Sequence, residues 1–320
     1  MARKGRAMAL QKIGILSIGE MGYHWARILT ARGVEVLSYL KGRSETTRKR
    51  AENAGVKPSP SLARLVEEAD LIVSIVVPSA AARVATKVAK AALQTGRKDL
   101  LFLDANAISP MTATRIAGIL EPSGVIFNDG CIIGSAAKMD QGAVVYVSGP
   151  EAARIEELGN YGFSVKTLGS GATQASAFKI VYAGLTKGLQ ALFVELLVGA
   201  SKLGLRDEII NRYEESFPGL LDRVASSIVG LRVHAGRRAE EMDELRRTFR
   251  HYGLNSFMAP AAQKLLQEIS ALHLGEPSER GMRAGNLVDT LDLFCAEGLL
   301  ERRRDGPEPI RVSENKPLEN

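Results

Sequence analysis

A chain of 320 residues with 45% apolar and 24% charged residues has the size for two packed domains and the balance of a globular protein. Its 42 basic and 36 acidic side chains leave a formal charge of +6 with only 5% aromatics, which suits a small anionic ligand and argues against a nucleic-acid partner. Two cysteines and four histidines without ligand spacing exclude a disulfide framework and a metal centre, and no apolar run approaches the roughly 18 residues of a bilayer span.

Arg3, Lys4 and Arg6 open the chain, but Gln11 and Lys12 follow too soon for a secretory apolar core, so a reducing cytoplasm and no membrane partner are expected. From Lys12 onward short apolar runs at 13–18, 34–39, 71–77, 100–103, 125–127, 144–147 and 164–168 read as strands. Most are continuous rather than alternating, as a parallel sheet covered on both faces requires. Amphipathic stretches at 21–32, 45–54, 61–68, 80–93, 112–120 and 151–158 separate them and read as helices. The alternation predicts a doubly wound, mostly parallel α/β domain of Rossmann type over 1–168.

After Gly169 no strand signal returns. Residues 172–202 read as one helix or two closely joined ones, followed by helices near 206–215, 219–229, 231–251 and 259–272. An all-helical substrate and dimerisation domain is therefore expected over 169–305, with a homodimer as its assembly. The polar, proline-bearing segment 306–320 reads as a disordered tail.

The first strand runs through Ser17-Ile18-Gly19-Glu20-Met21-Gly22 straight into a helix. Glycines at such a turn let backbone N–H groups and the helix N-terminus approach a pyrophosphate; here Ser17 stands at the first of the three usual glycine positions. The second strand ends at Tyr39, where an NAD site would place an acid for the ribose hydroxyls. Lys41, Arg43 and Ser44 follow instead, with Arg48 one helical turn on, a set that suits the 2′-phosphate of NADP(H). Pro78, after Val77, ends the third long strand either beside the cofactor or as a plain terminator.

On the helix from 172, Lys179, Tyr182, Thr186 and Gln190 share one face of an otherwise apolar element. A lysine in that setting is either a general acid/base or a snorkelling side chain at a domain edge. Further on, His234, Arg238 and Glu241 are spaced i, i+4, i+7, with Arg238 inside the stripe of Ala235, Ala239, Met242, Leu245 and Phe249. That charge needs a partner: Glu241 or another carboxylate, or an anionic substrate.

The stretch Ile13-Gly14-Ile15-Leu16-Ser17-Ile18-Gly19-Glu20-Met21-Gly22 resembles the cofactor motif of the β-hydroxyacid dehydrogenases, which include 6-phosphogluconate and 3-hydroxyisobutyrate dehydrogenases. Three later segments keep that family's order. Asp104 to Pro110 is similar to the segment beside the nicotinamide, which implies a cofactor role for Asn106. Asp129-Gly130-Cys131-Ile132-Ile133-Gly134-Ser135 is similar to the substrate-binding loop, and Gly169 to Glu195 to the catalytic helix, with Lys179 at the catalytic lysine position. Ile133 replaces the usual serine of that loop and Ala183 the usual asparagine after the lysine, so Tyr182 or Thr186 is left to meet the substrate. The resemblance implies an NADP(H)-dependent oxidoreductase acting on a small hydroxy acid, with Lys179 as acid/base. An imine or other carbonyl reductase of the same fold, and a non-catalytic NADP(H)-binding regulator, are the alternatives.

Overall fold

The computed structural model describes residues 10–275 and 286–301; the tail expected from 306 lies outside the described residues. Eight strands make one sheet: β1 (Lys12–Leu16), β2 (Glu35–Ser38), β3 (Lys57–Pro58), β4 (Leu71–Ser74), β5 (Leu101–Asp104), β6 (Ile126–Ile133), β7 (Val144–Ser148) and β8 (Ser164–Thr167). Their order is β3-β2-β1-β4-β5-β6-β7-β8, and only β6 and β7 pair antiparallel. Helices α1 (Glu20–Ala31), α2 (Glu45–Asn53), α3 (Leu62–Glu68), α4 (Ala81–Thr95), α5 (Pro110–Leu120) and α6 (Ala152–Ile155) alternate with the strands. The expected doubly wound α/β architecture is present.

Side-chain alternation along the central strands builds two cores, one on each face of the sheet. Ile13, Ile15, Leu71, Val73, Leu101 and Leu103 pack with Trp25 and Leu29 of α1 on one face. Leu16, Ile72 and Phe102 pack with Leu65 of α3, Val88 of α4 and Ile116 of α5 on the other. Every residue of β4 and β5 is buried, which is why their sequences read as unbroken apolar runs. The strand order reverses between β1 and β4, and in such sheets ligands bind in the crevice beyond the carboxyl ends of those strands.

Three elements differ from expectation. Strand β4 stops at Ser74 rather than at 77, because the Asn106 side chain takes the Val76 N–H at 2.5 Å and draws the chain out of the ladder. Strand β6 runs on to Ile133; the polar residues Asn128, Asp129 and Gly130, which read as a loop, lie buried within the sheet. The two-residue edge strand β3 is exposed and carries a proline, so it has no apolar pattern to announce it.

The rest of the described chain is helical: α7 (Gln174–Lys202), α8 (Arg206–Ser216), α9 (Leu220–Val229), α10 (Leu231–His251), α11 (Met258–Ala271) and α12 (Leu287–Ala296). Helix α12 was not anticipated, although Asn286 and Asp289 form a capping box that the sequence displays. The chain divides into two compact units, one of residues up to Gly184 with 244–256, the other of 185–243 with the residues from 257 on. The change of character after Leu168 thus marks the last strand, while the first unit keeps the opening of α7. By length and composition α7 is apolar enough to cross a bilayer, with 39% of that window buried inside the protein.

Candidate functional site

The turn after β1 is built around three residues with separate tasks. A Cβ on Gly22 would lie 2.2 Å from the carbonyl oxygen of Ser17, so only glycine lets α1 start so close to the strand end. A Cβ on Gly19 would meet nothing nearer than Ser17 Oγ at 4.0 Å, so the protein itself does not demand glycine there and the gap leaves room for a ligand to approach the backbone. Ser17 holds φ at 85°, the left-handed region that the usual glycine occupies freely, and stores strain at this point. Gly19 caps α1 without a side-chain bond, which leaves the first N–H groups of the helix open to an anion. Ile18 is buried and Met21 packs on the core, so both contribute through the backbone, while Glu20 is exposed.

Beside this turn lies a cavity of about 460 Å³. Lys41 and Arg43 line it as expected, joined by Arg83 and Lys87 from α4, and among the described residues lining it there is no carboxylate. Tyr39, Leu62, Val77 and Val84 supply apolar walls. Ser44 and Arg48, expected at the same phosphate, make bonds within the loop. Ser44 Oγ caps α2 by accepting from Thr47 N at 3.3 Å, and Arg48 donates through Nε and Nη2 to the Arg43 carbonyl at 3.0 and 2.9 Å. Both shape the loop that carries Lys41 and Arg43. Pro78 opens a 3-10 turn, Pro78–Ala80, which leaves Val77 on the cavity wall. Arg83 and Lys87 were missed by sequence reasoning, although two cations at i, i+4 directly after a cofactor-side strand end are a readable signal.

A buried polar row crosses four adjacent strands, at the ends of β4, β5 and β7 and midway along β6. Ser74, Asp104 and Asp129 are in register on β4, β5 and β6, and Ser148 of β7 faces Asp129. All four are fully buried. Burial pushes the Asp104 carboxyl up to about 6 and the Asp129 carboxyl up to about 7. Asn106, expected at the cofactor, is buried with its amide committed at both ends: Oδ1 accepts from Val76 N, and Nδ2 donates to Ser74 Oγ at 3.2 Å. These bonds tie the end of β4 to the segment after β5.

The segment 129–135 divides in two. Asp129 accepts from Ser176 N and Ser176 Oγ at 2.7 and 2.6 Å, and a Cβ on Gly130 would strike Leu103 at 2.7 Å, so both are built into the sheet. Ile133 is half-buried, and Gly134 and Ser135 are exposed. Lys179 Nζ donates to the Ile132 carbonyl at 2.5 Å, which brings the candidate acid/base to the start of that exposed part. Cys131 lies in the same place with its thiol pushed up to about 12 by burial, against the pull of Lys179, and stays neutral. Tyr182 is 46% exposed on α7.

In the second unit the stripe of Ala235, Ala239 and Met242 is buried as expected. Glu241 does not take Arg238: it pairs with Arg237 and Lys187, each at 2.8 Å. Arg238 Nη1 instead donates to Ser227 O at 2.6 Å and Gln190 Oε1 at 2.8 Å. Ser227 is in the last turn of α9, so the guanidinium caps that helix and meets the negative end of its dipole. The expected carboxylate partner is thereby replaced by a helix terminus. His234 is exposed and Thr186 half-buried.

Residues 12–160 match the family described as the NAD binding domain of 6-phosphogluconate dehydrogenase, and 200–269 match a domain of unknown function, DUF1932. An uncharacterized 28.5 kDa protein of Methanothermus fervidus is 30% identical over 259 residues, 81% of this chain and 98% of that one. The mitochondrial 3-hydroxyisobutyrate dehydrogenase of Bos taurus is 29% identical over 177 residues, 54% of this chain and 52% of its own, so the chain spans about half that relative's length. A solved protein of unknown function, described as structurally similar to 3-hydroxyacid dehydrogenases, has a TM-score of 0.71 at 27% identity, covering 81% of this chain and 97% of that one. The chain belongs to the 6-phosphogluconate dehydrogenase-like superfamily, in the branch that joins its NAD binding domain to a DUF1932 domain.

Proposed function

We propose that this protein is an NADP(H)-dependent oxidoreductase that interconverts a small hydroxy acid and its carbonyl form, with Lys179 as the general acid/base. The observation that carries this reading is the bond of the Lys179 ammonium to the Ile132 carbonyl, beside half-buried Ile133 and exposed Gly134 and Ser135. The nicotinamide, when bound, supplies hydride transfer. The residues of the chain do the rest. The open turn at Gly19 and the α1 N-terminus receive the pyrophosphate, and Lys41, Arg43, Arg83 and Lys87 receive the 2′-phosphate. Lys179 takes the proton of a substrate hydroxyl during oxidation and returns it to the developing alkoxide during reduction.

The test is NADPH consumption over a panel of keto acids and semialdehyde acids, with cyclic imines in a parallel arm and NADH as the competing cofactor. Turnover of a carbonyl acid with NADPH is the expected result. Turnover of imines alone would move the protein to the reductase alternative, and consumption by no substrate would favour the binding-only one.

We also propose that two copies associate through α7. Leu185, Leu192, Leu196 and Leu203 are 66%, 43%, 43% and 76% exposed, at spacings of 7, 4 and 7. Gly188 and Gly199 lie between them, where a Cβ would meet nothing within 4 Å. A continuous stripe of leucines interrupted by small residues fits a second copy of itself in a two-fold arrangement.

A further inference from the structure

The first turn of α7 is held by the sheet. Its leading N–H groups need acceptors, as at any helix start. Ala175 N donates to Ser148 Oγ at 3.1 Å, Ser176 N to Asp129 Oδ2 at 2.7 Å, and Ser176 Oγ to Asp129 Oδ1 at 2.6 Å. Asp129 and Ser148 face one another across the β6–β7 pair, and all four residues are within 1% of full burial. Three residues further along both elements lies a second tie, Lys179 Nζ to the Ile132 carbonyl. Ser176 and Lys179 are i, i+3 and share a helix face. Strand β6 and helix α7 are therefore joined at two points, one a buried carboxylate at a helix N-terminus, the other the candidate acid/base itself. A carboxylate there is favoured by the helix dipole and fixes both the height and the rotation of the first turn.

We propose that Asp129 is a positioning residue for Lys179: by capping α7 from the neighbouring strand, it sets where the lysine ammonium lies. The functional side of this proposal rests on Lys179 being the acid/base; the structural side does not. Family resemblance puts Asp129 among substrate-binding residues; in the fold it is fully buried and both its oxygens accept from Ser176.

The experiment uses the full chain with Asp129→Ala, Asp129→Asn and Ser176→Ala. It reads hydrogen–deuterium exchange of the peptide covering 174–180 and trace acetylation of Lys179 by acetic anhydride, with exposed Lys49 as the internal reference. Neither readout needs turnover. In Asp129→Ala, exchange in that peptide should rise about tenfold, the scale of a lost helix cap, and Lys179 labelling should change severalfold. Asp129→Asn should recover most of both, because its remaining oxygen still accepts from Ser176 N. Ser176→Ala, which keeps the backbone bond, should give a smaller rise of about threefold and carries the test if Asp129→Ala does not fold. Where turnover is measurable, kcat of Asp129→Ala should fall about tenfold with KM for NADPH unchanged, since a small misplacement of a reacting group acts on chemistry and not on cofactor binding. Unchanged exchange and labelling in Asp129→Ala, or in Ser176→Ala if that is the folded variant, would overturn the proposal. Shifted exchange and labelling in a chain whose wild type turns nothing over would support the positioning role and remove only the proposed chemistry.

Discussion

Asp104 and Asp129 stand opposite one another on β5 and β6 with no cation among their bonded partners. Asp129 accepts from Ser176 N and Oγ, whereas Asp104 accepts from Asn106 N at 3.1 Å, and its Oδ2 has no partner among the described residues. Two neighbouring carboxyls buried side by side titrate as a pair. Both groups lie near 6 to 7 in the fold against about 3.8 when unfolded, so folding takes up protons. That contribution to stability is complete below about pH 4 and is lost as pH rises through 6 to 7. Asp104→Asn keeps an oxygen for the Asn106 bond and removes one titrating group. The variant should gain on the wild type by about 1–3 kcal/mol as pH rises from 4 to 8, read by denaturant unfolding at each pH. Parallel pH profiles for the two proteins would contradict this account.

At the scale of elements, α4 and α7 carry the most consequence. Helix α4 packs its alanines on the sheet and turns Arg83 and Lys87, one turn apart, to the cavity shared with Lys41 and Arg43. Replacing both by alanine should weaken NADPH binding at least tenfold and NADH binding less than threefold in fluorescence titrations, because only the former has a 2′-phosphate for them to meet. Equal losses for the two cofactors would assign these cations to bulk electrostatics. Helix α7 carries Lys179 at one end and the leucine stripe along its length. Sedimentation equilibrium should give a dimer for the wild type and a monomer for Leu192→Lys/Leu196→Lys; a monomeric wild type would remove the proposed interface.

For the whole molecule, the order of elements was legible because the buried parallel strands and the helices over them impose periods that the sequence carries openly. The glycine turn, Lys41, Arg43 and Lys179 stand out in the sequence for a similar reason, since each breaks a local pattern. Other features lie beyond the sequence. Asn106, Asp129, Ser44 and Arg48 read as ligand-binding groups, and the backbone and side-chain partners that each holds are ones only the fold supplies. Arg238 was read correctly as a charge needing compensation, but a helix terminus is a partner no residue pattern displays. Strand β6 was cut short because buried polar residues satisfied within a sheet are written like a loop.

If Lys179 moves the proton while the first unit holds the cofactor, Lys179→Ala separates the two roles, with NADPH affinity from fluorescence titration and turnover on the best carbonyl acid of the panel measured on the same preparation. The expected result is an NADPH Kd within about twofold of wild type and a kcat lowered by about 10²–10⁴. A variant that keeps its turnover would contradict it.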